Sequence, residues 1–174
     1  RALRRRDYAL AKLAAFATAL MVLTLAPQAL LLIGNGLASN DLVDYVGDNW
    51  LDIPLTVASG VAISVGLGAV SLAIASQTGR RAYGTVAVVA WFLVTWPIAG
   101  ILVTEVGGAR HWAVFIAPFE FVYGTTLWIF GVEAEPGSMQ DEAGFLLWAH
   151  ALALLAYGLG GTMMVLRRFE RIAA

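Results

Sequence analysis

Four long apolar stretches dominate this chain, at residues 13–33, 54–74, 83–106 and 145–166. Each is about 20 residues or longer, which at about 1.5 Å per helical residue crosses the roughly 30 Å hydrocarbon layer of a bilayer. Hydrocarbon offers the backbone no water, so a stretch of this length must close its own hydrogen bonds, and an α-helix does so. Short connections leave no room for a separate soluble domain. The sequence therefore predicts an all-α fold: a polytopic membrane helix bundle, one transmembrane domain of four spanning helices with short interfacial or re-entrant helices on its outer face. Composition agrees, with 60 % hydrophobic and only 13 % charged residues, where a soluble domain carries about a quarter charged.

The charges orient the bundle. Arg1, Arg4, Arg5, Arg6 and Lys12 precede the first stretch, Arg80 and Arg81 separate the second from the third, and Arg167, Arg168 and Arg171 follow the fourth. Short segments rich in Lys and Arg stay on the cytoplasmic side. Both ends of the chain are thus expected inside a plasma membrane, and of the eleven cations only Arg110 falls outside. The acids sort the other way, with Asp7 and Glu170 the only inner ones of twelve.

Between the spans, residues 41–52 interleave Asp41, Asp44, Asp48 and Asp52 with Leu42, Val43, Tyr45, Val46, Trp50 and Leu51. That pattern predicts a short helix lying at the headgroup level. It lacks the alternating aspartates and glycine of a calcium loop. Residues 111–130 are apolar and aromatic enough for a fifth span, but Pro118 and Glu120 sit at their middle. A full crossing would also carry Arg167, Arg168 and Arg171 outside. The region reads instead as two outer-face segments, 111–119 and 120–130, dipping into the interface or partly re-entrant. In the second span Gly60, Ser64 and Gly68 recur at i, i+4 and i+8, a small-residue stripe that lets another helix approach closely.

The chemistry available is sparse. No cysteine is present, which removes disulfides, thiolate nucleophiles and cysteine metal sites. His150 is the ionisable side chain inside a span, a position that marks functional groups, yet no second histidine or carboxylate is evident at a facing depth. It reads as a packed neutral histidine. No G-x-S-x-G, H-E-x-x-H or paired intramembrane aspartates occur. Lys12, the only lysine, does not belong to a phosphate loop. No catalytic residue, cofactor, metal site or nucleic-acid partner is expected, and a separate subunit would have to supply any nucleotide energy.

The stretch Arg4-Arg5-Arg6-Asp7-Tyr8-Ala9-Leu10-Ala11-Lys12 resembles the S-R-R-D-Y-x-L-x-K motif of permease subunits of type-2, exporter-like ATP-binding-cassette transporters. The later features follow in the same order: Pro27-Gln28 inside the next span, an outer loop, a small-residue span, a basic inner turn, another span, Ala117-Pro118-Phe119-Glu120, and a last span with a basic tail. The resemblance implies a six-span permease whose first two spans precede Arg1. It implies coupling to an ATPase subunit through Arg4, Arg5, Arg6, Asp7, Tyr8 and Lys12, an outer gate at Pro118, Phe119 and Glu120, and a second permease subunit, identical or not, alongside in the bilayer. Two other readings stand beside it: a small structural or assembly subunit of a larger membrane complex, and a haem- or quinone-binding redox subunit using His150.

Overall fold

A computed structural model describes residues 5–106 and 108–171. Seven α-helices follow one another in the described residues: α1 (Arg5–Ala38), α2 (Leu42–Asp48), α3 (Asp52–Ser76), α4 (Arg81–Gly100), α5 (Pro118–Phe130), α6 (Met139–Ala143) and α7 (Leu147–Arg171). α4 runs on into a π-helical segment (Ile101–Val106), and a 3-10 segment (Gly108–Phe115) precedes α5. Four helices are long and apolar enough to cross a membrane, beginning at Asp7, Asp52, Ala82 and Leu147. The protein is an all-α membrane bundle.

α3 is the centre, touching α1, α4, α5 and α7. Its buried residues are mostly small, among them Ser59, Gly60, Ser64, Gly66, Gly68, Ala69, Ser71 and Ala73. Small side chains matter here because lipid tails are as apolar as leucine, so helices associate through close backbone packing rather than by escaping water. The Gly60, Ser64, Gly68 stripe receives α1. A Cβ built on Gly60 would lie 2.4 Å from Leu25, one on Gly68 would lie 3.4 Å from Leu20, and the Ser64 and Thr24 hydroxyls share a 3.2 Å hydrogen bond. A second small face, not singled out in the sequence, receives α7: a Cβ on Gly161 would lie 2.7 Å from the backbone of Ala69 and Val70.

The two ends of the bundle differ in charge. At the basic end, Ala9 of α1, Leu72 and Ala73 of α3 and Val165 of α7 form one buried cluster, flanked by Leu13, Leu166 and Phe169. The turn from α3 to α4 joins them, closed by the Thr78 hydroxyl on the Arg80 carbonyl at 3.0 Å. At the acidic end, Ala99, Val103, Ala113, Val114, Ala117 and Ala143 make a second cluster. Asp41 there caps α2, accepting from the backbone N–H of Val43 at 2.8 Å and of Asp44 at 3.3 Å, so its carboxylate serves the helix start.

The structure redraws three boundaries. The break inside 111–130 falls at Ala117–Pro118, earlier than the expected division after Phe119. Proline holds its predecessor in extended backbone and suits the first helical position, and Ala117 is extended while Pro118 opens α5. The fourth span begins at Leu147, because Gly144 ends α6 in the left-handed conformation at φ 67° and Phe145 packs against Trp112 and Phe115 instead. The third span loses regular α geometry after Gly100, just past Pro97, whose ring removes one helical hydrogen bond.

Candidate functional site

The 3-10 segment and α5 form a hairpin with its tip at Ile116–Pro118. Phe119, half exposed, lies edge-on to Phe92 at 5.2 Å, whereas the fully buried Phe121 stacks on Tyr157 at 4.9 Å and meets Trp91 at 6.4 Å. Trp91 and Tyr157 each lie about ten residues, or about 15 Å, into their helices. Those helices start from opposite ends, so the Phe121 ring sits near mid-length of both. α5 then climbs toward the acidic end, where Thr126 shares a 3.3 Å hydrogen bond with Ser59 and Gly124 lies against His150. Gly131 in the left-handed conformation closes the helix, its successor Val132 bonding back to the Leu127 carbonyl at 3.0 Å, as such caps do.

Pro118, Phe119 and Glu120 share the first turn of α5, at the hairpin tip. Glu120 is only 8 % exposed. Its carboxylate accepts from the Trp96 indole at 2.7 Å and from the Gln140 amide at 2.5 Å, and the same amide reaches the Glu120 carbonyl at 3.2 Å. A buried carboxylate must be fully hydrogen-bonded to be tolerated, and here two neutral donors do that work. Trp96 precedes Pro97 and the π-helical segment, and local irregularities of that kind are where helices bend. Glu120 therefore ties the hairpin tip to the irregular half of α4 and to α6.

This tie is testable in a chain without native cysteine. In Glu120→Ala, disulfide formation between cysteines at Phe92 and Phe119 is expected to slow by about fivefold or more, since a charge-assisted hydrogen-bond pair is lost. A second pair at Ser59 and Thr126 should be unaffected. Equal slowing at both pairs, or at neither, would refute the tie.

His150 lies in the first turn of α7, near the acidic end, and is fully buried. Phe115 packs on its ring at 5.0 Å, and a Cβ on Gly124 would come within 2.4 Å of it. Neither ring nitrogen has a hydrogen-bond partner among the described residues. The imidazole is wedged between the two limbs of the hairpin, with both ring nitrogens buried.

At the basic end the opening segment is the first part of α1. Arg4 lies outside the described residues, and Arg5 and Arg6 begin the helix. Tyr8 meets Phe169 of α7 edge-on at 5.7 Å, and the Lys12 ammonium lies 5.7 Å from the centre of the same ring. Such cation–π contacts contribute about 0.5–1 kcal/mol at exposed sites. Asp7 also engages a partner. The segment is therefore fastened to the end of α7.

The sequence did not reveal Trp96, Gln140, Phe169 or Gly161 as parts of these arrangements. The first two are 24 and 20 residues away from Glu120, with no periodic pattern linking them. Gly161 did carry a signal, standing with Gly158 and Gly160 on a single span. Among the described residues, no group of three His, Asp or Glu side chains is arranged to hold a metal ion. The arrangement positions helices and holds a hairpin. No family model, curated protein or solved structure matches this chain.

Proposed function

We propose that this chain is the membrane-spanning permease part of a type-2, exporter-like ATP-binding-cassette transporter, moving its substrate with ATP hydrolysed by a separate subunit. The observation that carries this reading is the meeting of Tyr8 and Lys12 with Phe169. A force applied to the opening segment would reach α1 and α7 together. At the opposite end, the hairpin held by Glu120 would serve as the outer gate, fastened through Trp96 to α4. In this reading the basic end faces the cytoplasm, both ends of the chain are inside the plasma membrane, and a second permease subunit completes the path. The chain itself performs no catalytic step.

The rival readings draw less support. Both small-residue faces of α3 are occupied within this chain by α1 and α7, which removes the main feature an assembly subunit would offer. The redox reading needs an accessible His150, and that ring is enclosed.

The test is co-purification of the full-length protein with candidate phosphate-loop ATPases, followed by ATPase assay in nanodiscs. One candidate is expected to bind stoichiometrically and to hydrolyse ATP faster in the complex. Capture of respiratory or photosynthetic subunits in place of an ATPase would replace the transport reading with the assembly reading.

A further inference from the structure

A cleft of about 720 Å³ opens at the basic end, between α1, the α3–α4 turn and α7. Its lining divides by chemistry. Lys12 and Arg168 supply two cations, and the Ser76 and Thr78 hydroxyls stand with them at the turn, whereas Phe16, Leu72, Val88 and Val89 make an apolar wall. The Nε of Arg168 is buried without a hydrogen-bond partner among the described residues, a costly state for a guanidinium donor. Asp7 and Glu170 each engage a partner, and no acid lines the cleft. Arg80 is turned away, its guanidinium over the Tyr83 ring at 5.7 Å.

We infer that this cleft is a binding site for an anionic phospholipid. The headgroup phosphate would lie between Lys12 and Arg168, accepting from the Lys12 ammonium and the Arg168 guanidinium, and an acyl chain would follow the wall of Phe16, Val88 and Val89 into the bilayer. A free phosphate or an acidic side chain would satisfy the cations but leave the apolar wall uncovered. A zwitterionic lipid would cover the wall but bring its own cation to the mouth. The pairing of a cationic mouth with an apolar wall at the end of a spanning bundle fits one ligand class, since basic recesses between helices are where anionic headgroups lodge. This inference stands whether or not the protein is a transporter.

The test uses the full-length protein in nanodiscs and in detergent. Phosphatidylglycerol is expected to remain bound in native mass spectrometry and to raise the melting temperature, whereas phosphatidylcholine and inorganic phosphate do neither. Lys12→Gln combined with Arg168→Gln should lower the preference for phosphatidylglycerol by about tenfold or more. Arg167→Gln, which removes one charge from a residue outside the cleft, should leave that preference intact, whereas Arg168→Gln alone, which removes one charge from within it, should lower it. Equal binding of the two lipids would overturn the site, as would stabilisation by inorganic phosphate alone. So would loss of the preference in Arg167→Gln to the same extent, which would assign it to general surface charge.

Discussion

Under the proposed transporter reading, reversing Arg5 and Arg6 together, as Arg5→Glu with Arg6→Glu, is expected to abolish association of the full-length protein with an ATPase subunit and with it ATP-driven transport. Both residues lie in the first turn of α1, directly before the Tyr8 and Lys12 contacts that fasten this segment to α7. Breaking a buried interfacial charge pair weakens binding by about 2–5 kcal/mol, or roughly 30-fold to several-thousand-fold. Insertion should survive, because Arg80, Arg81, Arg167, Arg168 and Arg171 still provide the positive charge that sets the proposed orientation. Single cysteines at Ser39, Ser138 and Ser76, probed with an impermeant thiol reagent in intact cells, check that point. Ser39 and Ser138 should label and Ser76 should not, in the variant as in the parent. Undiminished ATPase association in a correctly oriented variant would leave these cations as topology signals alone.

The second large effect is in the packing of α3 against α7. Gly161→Val should destabilise the bundle by about 1–3 kcal/mol or more, because overpacking a filled contact forces atoms apart. What it would force apart here is backbone: the nearest atoms to an added Cβ are the Ala69 carbonyl carbon and the Val70 nitrogen, both at 2.7 Å. Neither can swing aside, so the two helices must separate along their length. The neighbouring Gly160→Ala is the control, since nothing lies within 4 Å of its added Cβ, and it should be neutral. Thermal unfolding in detergent would measure both, and equal stability of Gly161→Val and the parent would show that α3 and α7 are not held by this contact. Gly66→Ala should be intermediate, because the Cβ there meets the end of the Leu154 side chain at 2.4 Å, and a leucine can change rotamer.

The hairpin shows where reading the chain in order falls short. Residues 111–130 announce an unusual segment through Pro118 and Glu120 set among aromatics, and the restriction that proline places on its predecessor makes a break there legible. The seating of the start of α5 is not. It depends on Phe119 and Phe121 finding Phe92, Trp91 and Tyr157, which stand on helices far along the chain. Glu120 likewise looks like one more acid of an outer rim, and only the convergence of Trp96 and Gln140 makes its burial tolerable.

The sequence by itself determined the four spanning helices and the separation of a basic from an acidic end. Run length, hydropathy and the cost of moving charge through hydrocarbon are local properties, and they act on each segment whatever the others do. Tertiary structure decided which faces meet. Gly60, Ser64 and Gly68 could have received any helix, and they receive α1 because Leu20, Thr24 and Leu25 fit the spaces they leave. The same holds for the hairpin tip, the enclosure of His150 and the fastening of Tyr8 and Lys12 to Phe169. Each joins residues distant in sequence through shape and hydrogen bonding, and those relations exist only once the helices have packed.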